Sequence, residues 1–294
     1  MQAMRGMYIA AVAALALGLS ACGGGGGGGA GDTPGATASF EAGTTMERLK
    51  NAQKVKVGTK FDQPGFGLKG LDGKPAGFDV EIAKIIAGEM GISADKIEWV
   101  ATPSAVREEV IEKGDVDYVV ATYTINDKRK ERVDFAGPYY VAGQQLMVRS
   151  DDNSVTGPEV FREGTKKVCS VQGSTPGNNI KQYLRDEAAQ LVLFDVYSKC
   201  VDALKNNQVD AVTTDNVILL GYVADSNGAF KLTGSKFTEE PYGIGVRKGD
   251  GKFRTFINDV IEKACQDGRY AKAWTDTAGK FDPNVPTCPA VNRY

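Results

Sequence analysis

Twice along this chain, short β-branched segments alternate with segments of helical period about ten residues long, and that rhythm restricts the fold more than any other feature. In the first series Val55-Lys56-Val57-Gly58-Thr59 reads as a strand, preceded by a short helix over Thr45 to Ala52. Gly77-Phe78-Asp79 opens a helix that buries Val80, Ile82, Ala83, Ile85, Ile86 and Met90, and Gly91 ends it. Ile97-Glu98-Trp99-Val100 is a second strand, residues 104–113 a helix, and Val116 to Ala121 a third strand. The rhythm restarts after a polar connection, with Val168 to Val171, Leu191 to Phe194 and Asp210 to Val212 as strands and helices over Gly173 to Tyr183 and Ser198 to Asn206. These two series predict an α/β protein of two lobes, each a mainly parallel sheet flanked by helices. Near the end, Gly243 to Arg247 reads as one more strand and residues 252–265 as a strong helix.

In open α/β sheets, ligands sit beyond the carboxyl ends of strands, which directs attention to the residues just past Tyr118-Val119-Val120-Ala121. Apolar periodicity stops there, and Thr122, Thr124 and Arg129 arrive together. Two hydroxyls on one side of an extended segment, followed by a guanidinium, suit the clamping of an anion. Taken without their surroundings, Lys128, Arg129, Lys130 and Arg132 equally suit a solvated basic face.

Composition narrows the partners. With 294 residues, 42% hydrophobic and 24% charged, the chain is an ordinary globular protein with room for two domains. The amino terminus carries Arg5, an apolar run from Met7 to Leu19, and then Leu19-Ser20-Ala21-Cys22 before seven glycines. That run is too short to span a bilayer, and its ending resembles a bacterial lipobox, in which Cys22 would be lipidated; an ordinary signal peptide cut near Ala21 is the alternative. On this reading residues 1–21 are a signal peptide and residues 22–40 a lipidated, flexible tether to the outer face of the cell membrane. Removing residues 1–21 takes away Arg5, so 35 basic residues become 34 against 37 acidic ones, a net charge of −3 that gives no footing for nucleic acid.

Four cysteines remain, compatible with three pairings. The nearest-neighbour scheme is favoured: Cys169 on a short strand with Cys200 opening a helical run, and Cys265 in the last strong helix with Cys288 in the tail. A metal cluster is the alternative, but C-x-x-C spacing and histidine are both absent from the sequence. No cofactor is expected.

The pattern small/Thr-x-Thr-Ile, Arg five residues after the second Thr, then Val-Asp-Phe and Pro-Tyr-Tyr resembles the signature of the solute-binding proteins for polar amino acids, over roughly residues 45–280. The resemblance implies a two-lobed, type II periplasmic-binding-protein-like fold with two crossing hinge strands, around 144–148 and 241–246. Residues 41–145 and 243–294 would form the first lobe and 146–242 the second. It further implies that Thr122, Thr124 and Arg129 hold the α-carboxylate of an amino acid. Ser174 and Thr175, after the first strand of the second lobe, would meet the same anion, and Asp215 would pair with the α-ammonium. Ser174 or Thr175 read alone is an ordinary helix cap, and so is Asp215 before Val217-Ile218-Leu219-Leu220. Lys60 and Arg107, each alone a plain surface cation, together resemble the glutamate/aspartate branch, in which basic residues there meet the ligand's side-chain carboxylate. Gln63 and Phe66, with Phe61, would line the same loop, although the aromatic residues equally suit a core.

The function implied is capture of glutamate or aspartate by a monomeric, lipid-anchored receptor that delivers it to the permease subunits of an ABC importer, and not an enzyme. Two rivals stand beside it: a dehydratase on the same scaffold, and the ligand-binding subunit of a sensor. Nucleophilic triads and zinc sites need the histidine this chain lacks, and no phosphate-binding G-x-x-x-x-G-K-[ST] run occurs. Glu239 and Glu240, as adjacent acids, read as solvated.

Overall fold

The computed structural model describes residues 39–294. The expected signal peptide, Cys22 and nearly all of the tether lie outside the described residues. Phe40, at the expected end of the tether, packs edge-on against Phe256 with ring centroids 5.5 Å apart. Among the described residues no helix is long and apolar enough to cross a membrane.

The first lobe opens with α1 (Thr45–Ala52), β1 (Val55–Thr59) and a small hairpin sheet of β2 (Asp62–Gln63), β3 (Gly67–Lys69) and β4 (Pro75–Ala76). It continues through α2 (Phe78–Glu89), β5 (Ile97–Ala101), α3 (Arg107–Lys113), β6 (Tyr118–Val119), α4 (Asp127–Lys130) and β7 (Val133–Ala142). The second lobe holds β8 (Gln144–Arg149), β9 (Val168–Val171), α5 (Thr175–Asn179), α6 (Glu187–Gln190), β10 (Leu191–Phe194), α7 (Tyr197–Lys205), β11 (Ala211–Asp215), α8 (Asn216–Asp225) and β12 (Phe230–Thr233). The chain then returns to the first lobe with β13 (Glu240–Arg247), α9 (Gly251–Gln266) and α10 (Arg269–Asp276).

Strand order is β5-β1-β6-β13-β7 in one sheet and β10-β9-β11-β8-β12 in the other. Neither is mainly parallel. β1 runs parallel to β5 and β6, but β13 is antiparallel to β6 and β7; β9 runs parallel to β10 and β11, while β8 is antiparallel to β11 and β12. The local β/α rhythm foretells only the parallel half, because the strands that carry the chain between lobes enter each sheet in the opposite sense. The two crossings lie side by side: Glu240 is in register with Ala142, the Phe237 amide donates to the Gln144 carbonyl at 3.0 Å, and the Gln144 amide donates to the Thr238 hydroxyl at 3.0 Å.

The first lobe's core is aromatic. Phe66 meets Phe78, Tyr140, Tyr242 and Trp274 edge-on at 6.0 to 6.3 Å, and Tyr140 stacks on Trp274 at 5.4 Å. Gly77 permits this: at φ 140° it lets α2 start where a Cβ would lie 2.2 Å from the Phe66 backbone. Cys169 is bonded to Cys200 and Cys265 to Cys288, closing loops of 31 and 23 residues. A chain-entropy account gives each about 3 to 4 kcal/mol.

Candidate functional site

Between the lobes lies a small cavity of about 10 Å³, lined by Ser104, Arg107, Thr122 and Thr124 from the first lobe and Ser174, Thr175, Pro176, Tyr197, Asp215 and Ile218 from the second. That space matches a single water, so an amino acid enters only when the lobes part.

Thr122 sits just past β6 with φ 46°, a strained conformation for a β-branched residue. Its amide donates to the Asp79 carboxylate at 2.7 Å, and the other Asp79 oxygen accepts from the Tyr139 hydroxyl at 2.6 Å. Asp79 is fully buried, which pushes its carboxyl up to about 7. The turn therefore holds its shape because a buried carboxylate at the start of α2 ties it down. Asp79 had no mark in the sequence beyond its place at the opening of a helix, and Tyr139 none beyond its place in Pro138-Tyr139-Tyr140.

One turn later the Asn126 side chain caps α4 by accepting the Arg129 amide at 2.9 Å, which aims Arg129 into the cleft. The guanidinium donates to the Thr124 carbonyl at 2.7 Å, then reaches the second lobe at the Thr175 hydroxyl, 3.1 Å, and the Gly173 carbonyl, 3.0 Å. Glu108 pairs with its Nε at 3.2 Å. Burial, followed by repulsion from Arg107, lowers the guanidinium to about 10.

Arg107 is buried, lies 4.1 Å from the centroid of the Tyr123 ring, and donates to the Ala121 carbonyl at 2.8 Å; its Nε has no partner among the described residues. Lys60, 4% exposed, donates to the Ser104 hydroxyl at 2.8 Å. Burial first, and Arg107 second, hold its amine well below the ordinary lysine range. Among the described residues neither cation has a carboxylate within ion-pair distance, whereas Arg129 has Glu108.

On the opposite wall Asp215 is the last residue of β11. Its side chain does not cap α8; one oxygen accepts from the Tyr242 hydroxyl at 2.6 Å, and the other is buried with no partner among the described residues. Burial, then the neighbouring Glu240 carboxylate, pushes Asp215 up to about 7. Ser174 is the cap it resembles, since its hydroxyl accepts from the Gly177 amide at 2.9 Å, and it lines the cavity as well.

The structure thus gathers Arg107, Thr122, Thr124, Ser174, Thr175 and Asp215 around one space, with Arg129 and Lys60 bonded to its lining residues. Gln63 stands behind this layer, its side-chain oxygen 3.0 Å from the Thr122 hydroxyl and its amide nitrogen without a partner among the described residues. Phe66 is not brought to the cavity, because the hairpin turns it into the aromatic core. Phe61 lies under the Lys69 ammonium, 5.3 Å from ring centroid to nitrogen.

Ser104, Pro176 and Ile218 of the lining escaped sequence reasoning, as did Tyr197 and Glu240. Tyr197, first residue of α7, lines the cavity; its position just beyond a strand's carboxyl end was an available signal. Glu240 is 1% exposed while Glu239 is exposed, so the reading of both as solvated fails for Glu240. Glu240 begins β13 at the crossing, where it accepts from the Thr238 hydroxyl at 2.9 Å and the Asn179 amide at 3.3 Å, and burial raises its carboxyl.

Residues 55–276 match the profile of the bacterial extracellular solute-binding proteins, family 3. The chain belongs to that family. The glutamate-binding protein GluB of Corynebacterium glutamicum is 42% identical over 235 residues, covering 77% of this chain and 79% of that protein. The ABC transporter glutamine-binding protein GlnH of Bacillus subtilis is 40% identical over 227 residues, covering 77% and 81%. Among solved structures, an ancestral arginine-binding protein bound to glutamine superposes with a TM-score of 0.71 at 35% identity, covering 79% of this chain and 99% of that one. This chain is accordingly a solute-binding protein with the two-lobed fold of the amino-acid-binding members.

Proposed function

We propose that this solute-binding protein captures an acidic amino acid, glutamate or aspartate, and hands it to an ABC importer. The observation that carries the reading is the pair of buried cations, Lys60 and Arg107, without a carboxylate in ion-pair distance among the described residues. Two adjacent buried cations are costly to leave unmatched, and a ligand carboxylate offsets that cost. Arg129, Thr122, Thr124 and Thr175 would take the α-carboxylate, and Asp215, with its unpartnered oxygen, the α-ammonium. The likeness to GluB supports the assignment, and the likeness to GlnH names the competitor to test.

Catalysis is not part of this reading, because two cations where the ligand side chain would sit hold an anion rather than protonate a leaving group. Anchoring through Cys22 would keep the monomeric receptor at the outer face of the membrane, beside the permease. Titration calorimetry of glutamate, aspartate and glutamine tests the proposal: glutamate or aspartate binds far more tightly than glutamine. Equal or tighter binding of glutamine refutes the acidic side-chain site.

A further inference from the structure

Helix α7 lacks a cap of its own. Its N-cap position is Val196, among the poorest residues there, and no side chain of its own segment accepts from its first amides. The acceptor comes instead from the other lobe. The Asp62 carboxylate, on β2, accepts the Tyr197 amide at 2.8 Å and lies 3.4 Å from the Ser198 amide. The Tyr222 hydroxyl of α8 donates to the Asp62 carbonyl and lies 3.4 Å from the same carboxylate oxygen. Beside them Pro64 rests so closely on α8 that a Cβ at Gly221 would stand 2.6 Å from the Pro64 carbonyl oxygen.

We propose that Asp62 is a positioning residue for closure: by capping α7 across the cleft it raises affinity for every ligand alike, without touching any of them. The cap exists only while the lobes are together, because parting them draws β2 away from α7 and returns the helix amides to water. A negative charge at a helix amino end also gains from the aligned peptide dipoles. Contacts present in one state and absent from the other shift the population between the two, and apparent affinity follows the closed fraction. Asp62 also fixes Tyr197, the cavity-lining residue whose amide it holds, so that the second lobe's wall arrives in register. The consequence for affinity rests on the solute-capture reading, whereas the contact between lobes does not.

Two readouts on the full chain keep these apart. Calorimetry of glutamate and glutamine against Asp62→Ala should show both weakened by the same factor, roughly three- to thirtyfold as for loss of an N-cap, with Asp62→Asn restoring most of it because Asn caps nearly as well as Asp. Gly221→Ala, which suits a helix but intrudes on Pro64 only in the closed state, should weaken both ligands in the same sense. In parallel, fluorophores carried by unnatural amino acids at the exposed positions Lys74 and Lys205 report lobe separation without added ligand, and Asp62→Ala should lengthen it. If no amino acid binds the wild type, the separation alone decides. Wild-type separation in Asp62→Ala, or a changed glutamate-to-glutamine ratio, overturns the proposal.

Discussion

Replacing Lys60 by Met should move stability and glutamate affinity in opposite directions. The amine is 4% exposed, held well below its ordinary range by burial and by Arg107, and among the described residues bonded only to the neutral Ser104 hydroxyl. Met keeps most of the volume and removes the charge, so the protein without ligand should gain about 1 to 3 kcal/mol. For a chain of this size that is a rise of about 2 to 4 °C in Tm per kcal/mol. With glutamate the balance reverses. Two unit charges 4 Å apart at an effective dielectric of about 20 attract by roughly 4 kcal/mol, and truncating one partner of a buried charge pair costs about 2 to 5 kcal/mol. Glutamine offers a neutral oxygen and loses only a hydrogen bond to a charged donor, about 1.5 kcal/mol. The glutamate-to-glutamine ratio should therefore fall by about 0.5 to 3.5 kcal/mol, between about twofold and a few hundredfold. Thermal unfolding of the protein alone and calorimetry with both ligands measure the two halves. An unchanged ratio, or a lower Tm, would show that Lys60 serves the fold rather than the ligand side chain.

Arg129→Ala should weaken glutamate, aspartate and glutamine alike by about 2 to 5 kcal/mol, because it removes the group that meets what they share; selective loss of one ligand in calorimetry would contradict this. Asp215, raised to about 7 by burial and Glu240, faces Tyr242, Arg107 and Arg129, and it must be ionised to hold an ammonium. Affinity should fall as pH drops below about 7, by up to tenfold per unit, and binding near pH 7 should release a proton, seen as a buffer-dependent enthalpy. The folded state keeps a proton there that the unfolded chain, with an ordinary carboxyl, loses, so stability is present at low pH and lost as pH rises through about 7. Tm without ligand should accordingly be higher at pH 5.5 than at pH 8. Cys22→Ala should move an intact body from the membrane fraction to the medium, as fractionation and immunoblotting would show, and unchanged retention would remove the lipid anchor.

What could be read from the residues alone was what lay contiguous in the chain, whereas Arg107, Ser174, Thr175 and Asp215 were reached only through the resemblance to the family. Thr122, Thr124 and Arg129 were legible because one strand end and one capped turn bring them together, and Lys60 because it directly follows β1. Helix α1 and strands β1, β9 and β10 matched to the residue, since each carries its own apolar period and stop signal. Phe66 went astray: four residues of hairpin decide whether a side chain beside Lys60 faces the cleft or the core, and the Gly77 backbone geometry that turns it inward has no local signature. The strand over Val133–Ala142 was hidden by Gly137-Pro138 in its middle, and Glu240 by an exposed acidic neighbour. Asp62 gave no signal at all, because its partner is the amino end of a helix more than a hundred residues away in the other lobe.

Those long-range contacts bear on why ligand and closure go together. In the closed conformation Arg129 spends its donors on the Thr124 carbonyl, the Gly173 carbonyl and the Thr175 hydroxyl, the last two across the cleft. A carboxylate entering the cavity exchanges those neutral acceptors for a charged one and leaves the lobes bridged through itself. Meanwhile one oxygen each of Asp215 and Glu240 and the Nε of Arg107 are buried without partners among the described residues. A buried, unmatched polar atom costs about 1 to 3 kcal/mol, more when charged, so closure is penalised at three places that a zwitterion can reach or relieve. The Asp62 cap and the Pro64 contact act in the other direction, since they favour closure whatever the cavity holds. Affinity then depends on how nearly these opposed contributions cancel. A receptor balanced this way closes readily on a ligand that satisfies both ends of the cavity, and opens again at modest cost when the importer takes that ligand away.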